Sequence, residues 1–310
     1  MRVLLTGAAG FVGSRVRQRL AQAGHDVVAT DLVGDVDLIG DLADAEFVGS
    51  LPAVEAVVHA AAVQYVTSPR PRFVRRGWFE RNNVVATRNL RRRYDGVADY
   101  FLLVGTSMMY TQDNRAMYAT DAPLSGEGVY SRSKLAALRE LAGFDGAVGV
   151  LMPTIIGGPG RAGLFATFLG AMQRWSLAVR PGSGDIPMQM VHVDDVARLA
   201  ALMVDRRAEG LFNAGGPGPL TILEWIGIIH DETGIDRCRT VPIAYWIIRA
   251  GAWVTAYRFL AREQVLMLGR AHVLDVTRSK ELGWEPEHSN ERILRDTARS
   301  LLTEQSRNAR

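Results

Sequence analysis

Tyr130 and Lys134 stand four residues apart in Tyr-Ser-Arg-Ser-Lys. On a helix, that spacing puts both side chains on one face. An ammonium beside a phenol favours the phenolate, so such a tyrosine can exchange a proton nearer neutral pH. The same spacing also arises in ordinary surface helices. Composition adds weight to the chemical reading: of 36 lysines and arginines, only Lys134 and Lys280 are lysines. A chain that uses arginine almost wherever a positive charge will do has kept a compact ammonium at this position, which a guanidinium cannot imitate. Lys280 shows that the bias is not absolute. Thr106 and Ser107 follow the apolar run 100–104, which reads as a strand. A hydroxyl at a strand's C-terminal end could bond a substrate oxygen while Tyr130 moves the proton. Hydroxyls also form turns there, so this pair takes its meaning from Tyr130 and Lys134.

A second group of residues suits a nucleotide. Thr6-Gly7-Ala8-Ala9-Gly10-Phe11-Val12-Gly13 lies between a first apolar run, 3–5, and a first helical pattern, 14–23, that stops at Gly24. Glycines there let the backbone turn tightly and approach a pyrophosphate. The helix start offers its N–H groups to the phosphates. Asp31 ends the second strand, 27–30, where a carboxylate accepts hydrogen bonds from both ribose hydroxyls of NAD and repels the 2′-phosphate of NADP. Leu32 and Val33 follow it, with no cation to receive that phosphate. The other readings are a tight turn for the glycines and a turn or capping role for Asp31. His59-Ala60-Ala61-Ala62 ends a further strand, 56–59, with side chains small enough for a flat ring or a phosphate to lie against, or for plain close packing.

The elements that must position these residues alternate. Strands at 3–5, 27–30, 56–59, 100–104 and 148–151 are separated by helical patterns, among them 130–142. This predicts an α/β fold, a doubly wound parallel sheet of Rossmann type with a smaller, irregular C-terminal substrate domain. The expected boundaries are 1–153 with 188–216 for the dinucleotide-binding domain, and 154–187 with 217–310 for the substrate-binding domain. In the second half, 157–163 and 180–187 read as glycine- and proline-rich loops, and 194–204 as a helix. Thr221 to Glu224 is a capping box, and 290–302 is a last helix before a frayed end.

Bulk properties narrow the class. At 310 residues the chain is long enough for a large unit and an appended one. A net charge of +3 is a weak case for nucleic acid, so none is expected as a partner. Cys238 is the one cysteine, which excludes an internal disulfide and fits a reduced, cytoplasmic setting. The apolar stretch 243–261 is interrupted by Arg249 and Arg258. It reads as a half-buried helix, over an apolar substrate site, in preference to a membrane anchor, and no membrane insertion is expected.

Together these residues resemble the extended short-chain dehydrogenase/reductases, the NAD-dependent epimerase/dehydratase family. The likeness runs through the loop at 6–13, Asp31, Asp41-Leu42, His59-Ala60-Ala61, Asn83-Val84-Val85-Ala86-Thr87, Thr106-Ser107-Met108-Met109-Tyr110 and Tyr130 with Lys134. It continues at Pro153-Thr154, Gly158-Pro159-Gly160, Val191 to Ala197 and Leu282 to Pro286. It implies NAD held by Gly7, Gly10, Phe11, Val12, Gly13, Asp31, Asp41, Leu42, Ala60, Ala61, Ala62, Pro153, Ile155 and Ile156, with Tyr130 and Lys134 reaching the same cofactor. The implied catalytic set is Tyr130 as acid/base, Lys134 on the nicotinamide ribose, Thr106 and Ser107 as hydroxyls, and Asn83 supporting the site from behind. No metal is implied, and a homodimer through the helices around Arg91 and Leu138 is expected by analogy.

Departures from the family pattern point away from particular substrates. The family's 4,6-dehydratases carry Asp-Glu just after the catalytic threonine, where this chain has Ser107-Met108. Sugar-nucleotide enzymes place an arginine where Met188 stands, Asn at Ile155 and Tyr at Gly157. Losing that arginine removes a bidentate diphosphate contact, which Arg161 or Arg180 could replace. Arg70, Arg72, Arg75 and Arg76 form either a substrate-anion cluster or a solvated basic loop. Met108, Met109, Met188 and Met190 suggest a less charged substrate, or simply fill core gaps. Three functions follow: hydride transfer between NAD and a secondary alcohol or ketone; epimerisation of a sugar or sugar nucleotide by transient oxidation; or a non-catalytic dinucleotide sensor, against which both Tyr130 and Lys134 speak.

Overall fold

The computed structural model describes residues 1–64, 72–113, 115–161, 164–234, 239–257 and 260–308. Seven parallel strands form one sheet in the order Gly210–Ala214, Ala147–Pro153, Tyr100–Val104, Ala56–His59, Arg2–Thr6, Asp26–Asp31, Leu38–Ile39. The central strands are apolar on both faces, as a sheet covered by helices on both sides requires. Leu4, Val57 and Phe101 are fully buried and stand side by side in register, Leu4 beside Val57 and Val57 beside Phe101.

Each face carries its own core. On one, Val3, Leu5 and Val58 meet Val16 and Leu20 of the helix Phe11–Gln22 and Val196 and Leu199 of the helix Val193–Arg206. On the other, Leu4, Phe101 and Leu103 meet Leu90 and Tyr94 of the helix Ala86–Tyr94, with Leu141 and Phe144 beyond the helix Val129–Glu140. A third cluster, with Phe165, Leu169, Met188, Met190, Ile222, Trp225 and Ile293, holds the later elements together.

Strand order reverses between Arg2–Thr6 and Ala56–His59, and ligands of open parallel sheets bind beyond the strand ends at such a point. Thr6, Asp31, His59 and Val104 are the last or near-last residues of their strands, so the sequence has set them along one rim.

Three expectations need correction. Arg180 and Pro181 close a strand, Leu177–Pro181, that pairs in parallel with Arg239–Ile243, so only part of 180–187 is loop. Pro187 also lies in a short strand, against Thr221. The last helix does not stop near 302 but runs Asn290–Asn308, anchored by the buried Ile293, Leu294, Ala298 and Leu301. The apolar stretch 243–261 contains the helix Tyr245–Val254, of which Ala252 alone is buried.

Candidate active site

The glycine loop is shaped to take a phosphate. Gly7 has φ +71° and lies so close to the segment after the fourth strand that a Cβ would stand 2.6 Å from the Ala61 nitrogen. A Cβ on Gly13 would meet the Gly7 carbonyl oxygen at 1.9 Å. Gly10 caps the helix Phe11–Gln22 without a side-chain bond, and no acidic residue occupies its first turn. The first N–H groups and the positive dipole end are therefore left for an anion. Asp31 accepts from the Ala9 N–H at 3.0 Å and the Leu32 N–H at 2.7 Å, which fixes its carboxylate at the rim beside the loop. These residues fit NAD. Gly13→Ala is expected to weaken NAD binding by roughly 30-fold or more, because the backbone of the loop must open to admit the methyl. Titration of NAD into the purified variant reads this directly.

Beneath the loop runs a buried chain of hydrogen bonds. The Ala61 N–H donates to Thr6 Oγ1 at 3.3 Å, Thr6 Oγ1 is 2.7 Å from His59 Nδ1, His59 Nε2 is 3.0 Å from Thr87 Oγ1, and Thr87 donates to the Asn83 carbonyl at 2.6 Å. With Thr87 donating onward, His59 must donate from Nε2 and accept at Nδ1. Burial, reinforced by the nearby Lys134 charge, pushes His59 down to about 3. It is therefore a neutral strut.

Asn83 lies in a widened helical turn, Glu80–Val85, and is 1% exposed. Its amide accepts from the Val63 N–H at 2.9 Å and donates to the Val63 carbonyl at 3.2 Å and to Ser133 Oγ at 2.9 Å. Ser133 in turn donates to the Tyr130 carbonyl at 2.7 Å. Asn83 thus ties the segment after the fourth strand to the helix that carries Tyr130 and Lys134, as expected of a residue acting from behind.

That helix, Val129–Glu140, buries Tyr130 (6% exposed) and Lys134 (1%). The Phe79 ring packs against Tyr130 with centroids 6.1 Å apart. No carboxylate pairs with Lys134 among the described residues, and burial lowers its ammonium to about 8. Thr106, half-buried, caps the turn Ser107–Met109 by accepting from the Met108 N–H. This turn packs on the Tyr130 helix.

The other expected residues differ in their surroundings. Ser107 is 2% exposed, with Oγ 2.6 Å from His272 Nε2 in the interior. Leu42 packs into the core, while Asp41 binds Arg81 at 2.6 Å. Ala60, Ala61 and Ala62 line the rim half-buried. Pro153 is buried, and Ile155 and Ile156 pack against two different core clusters. Arg180 donates to the carbonyl of Ser183 in its own turn. Arg161 lies over the Phe11 ring at 5.3 Å, beside the glycine loop. Met108, Met109, Met188 and Met190 are all buried; Met109 packs in one core cluster, and Met188 and Met190 in another. Of the arginine cluster, Arg70 and the side chains of Arg72 and Arg75 lie outside the described residues, and Arg76 is exposed.

Two buried groups carry no sequence signal. Glu263 is 2% exposed and accepts from the Ser131 N–H at 3.0 Å and the Ser131 hydroxyl at 3.2 Å. It puts a carboxylate at the N-terminus of the Tyr130 helix, where charge and dipole agree, and only a glycine at 128 leaves room for it. His272 faces Ser107, and burial lowers it to about 4.

Besides His192, which burial and the neighbouring His288 also lower, His59 and His272 make the protein sensitive to acid. Both have folded values below the ordinary 6.5. As pH falls through 6.5 the unfolded chain takes up two protons that the native protein refuses, so stability drops with falling pH. From pH 6.5 to 5 the loss is about 2 kcal/mol for each histidine. Urea unfolding across this range checks it, and His59→Gln is expected to reduce the slope.

Residues 3–215 match the NAD dependent epimerase/dehydratase family. The chain belongs to this family. Like its other members, the extended short-chain dehydrogenase/reductases, it is an NAD-dependent enzyme with a Rossmann-type sheet. It is 29% identical over 263 residues to a dTDP-glucose 4,6-dehydratase of Streptomyces griseus, covering 76% of this chain and 79% of that one. Its fold is similar to that of DesIV, a dTDP-glucose 4,6-dehydratase of Streptomyces venezuelae solved with NAD bound (TM-score 0.79, 22% identity, 99% of this chain and 98% of that one). It is also similar to a UDP-glucose 4-epimerase of Thermotoga maritima (TM-score 0.76, 22% identity, 98% and 100%).

Proposed function

We propose that this epimerase/dehydratase family member moves hydride between NAD and a secondary alcohol or ketone, with Tyr130 as the acid/base. The observation that carries this is the buried Tyr130 and Lys134 on one helix, behind a glycine loop open to a dinucleotide. NAD, when bound, supplies the hydride acceptor or donor. Tyr130 holds the proton of the substrate hydroxyl, Thr106 bonds the same oxygen, and Lys134 holds the nicotinamide ribose and the phenolate. Asn83 and Ser133 fix the helix that presents them. The remaining expected contacts, from Gly7 to Ile156, are proposed as the cofactor cradle, with 1–153 and 188–216 as its domain and 154–187 and 217–310 enclosing the substrate. A cytoplasmic homodimer through the helices Ala86–Tyr94 and Val129–Glu140 completes the reading.

The second reading is an epimerase, in which the same oxidation is reversed from the other face. The relatives named for sugar nucleotides favour it. Against a diphosphate substrate stand the buried Met188 and the self-bonded Arg180. Water elimination is not proposed, since Ser107 and Met108 are both buried and neither is acidic.

The test is to denature the purified protein and quantify released nucleotide. NAD near one per chain supports the epimerase, whereas reversible binding of added NAD, with alcohol- or ketone-dependent change at the NADH band, supports the dehydrogenase. Failure to bind NAD in either form would refute both.

A further inference from the structure

The helix Tyr245–Val254 turns its apolar side outward. Ala252 is buried and Tyr245 and Ile248 are half-buried, so one stripe faces the protein. The rest of the circumference carries Trp246 at 70% exposure, Trp253 at 67%, Val254 at 75% and Ile247 at 47%. Trp246 and Trp253 are seven residues apart and therefore lie on one line along the helix. Arg249, at the edge of this arc, lies over the Tyr245 ring at 5.9 Å. Exposed apolar surface of this kind marks a docking face.

Charge says what docks. From Arg239 to Arg262 the sequence has four arginines, at 239, 249, 258 and 262, and no Asp or Glu. Arg262 meets the Glu127 carboxylate at 3.9 Å, whereas Arg249 stands on the helix itself, so a twofold contact through this face would set Arg249 against its own counterpart. A surface of anionic headgroups complements it. Tryptophan is the side chain that settles at the boundary between headgroups and acyl chains, with arginine reaching the phosphates.

We propose that this helix lies on the surface of an anionic lipid bilayer, with Trp246, Trp253, Ile247 and Val254 inserted at the acyl boundary and Arg249 among the headgroups. Its length of roughly 15 Å is half the hydrocarbon thickness, so it lies in the plane and does not cross. No helix among the described residues is long and apolar enough to span a membrane. The face is joined to the active site. Tyr245 packs so closely on Gly269 that a Cβ there would stand 2.2 Å from its ring. The adjoining helix Arg262–Met267 carries Glu263 to the start of the Tyr130 helix.

Flotation of the full chain with vesicles tests this independently of the reaction. Vesicles of phosphatidylcholine with one-third phosphatidylglycerol are expected to carry at least about tenfold more protein than phosphatidylcholine alone, and less as salt rises. The double variant Trp246→Ser, Trp253→Ser is expected to lose this binding while keeping its melting temperature and NAD affinity, since both side chains are exposed. Equal flotation of the variant, no flotation of the parent, or no preference for the anionic vesicles would overturn the proposal. So would light scattering in which the parent is a dimer and the variant a monomer, which would make the face a protein interface.

Discussion

Tyr130→Phe is expected to lower kcat by roughly 10³-fold, within the range for losing a positioned acid/base, while NAD affinity stays within about twofold. The substitution removes one oxygen and leaves the packing intact. Tyr130 is 6% exposed, its ring meets Phe79, and the bond from Ser133 goes to its backbone carbonyl, which phenylalanine keeps. The melting temperature of the variant, read beside its rates, shows what the lost hydroxyl contributed to stability. Losing rate but neither binding nor stability separates a proton-transfer role from a structural one. Steady-state rates at the NADH band, beside an NAD titration of the same preparation, measure it. Turnover within a few-fold of the parent would remove Tyr130 from the chemistry in both enzymatic readings.

What the sequence made legible was local. The strands 56–59 and 100–104 stand where the apolar runs placed them, because buried parallel strands announce themselves as continuous apolar segments. The glycine loop and the Tyr130–Lys134 pair each lie within eight residues of chain, so spacing alone describes them. Glu263 could not be found that way. It reaches Ser131 across 132 residues and belongs to no motif, and its role exists only because Gly128 leaves space for it. His272 reaches Ser107 across 165 residues, and that contact turns inward a hydroxyl that the motif placed in the site. The methionines were ambiguous for a related reason. Met188 stands where the family's sugar-nucleotide enzymes are expected to place an arginine, and its side chain, with that of Met190, joins the cluster around Trp225. A thioether reads the same in a cleft and in a core, and only packing distinguishes the two. The helix Tyr245–Val254 shows the limit from the other side, since apolar composition predicts burial and the fold leaves this surface uncovered.

Lys134→Met is expected to cost most of the activity and yet raise the stability of the protein freed of NAD. Methionine has nearly the same reach without the charge, so the site stays filled while the ammonium is lost. The sign of the stability effect follows from linkage. Burial holds Lys134 at about 8 in the folded protein, below its ordinary 10.5. Below pH 8 both folded and unfolded chains carry the proton, and the full penalty of a buried charge is present. Between about 8 and 10.5 the folded protein has released a proton that the unfolded chain still holds, so stability rises with pH, by about 3 kcal/mol in all. At pH 7 the methionine variant should therefore melt a few degrees higher than the parent, and the difference should close as pH approaches 10.5. Activity runs the opposite way. The parent's kcat/KM, which reports the free enzyme, is expected to fall above pH 8 as the ammonium that holds the ribose and the phenolate discharges. A parent profile flat to pH 10, or a variant less stable at pH 7, would mean that Lys134 is a solvated or paired charge with no part in the site. The predicted pattern would instead identify a charge that the fold tolerates at a cost in stability because the reaction needs it.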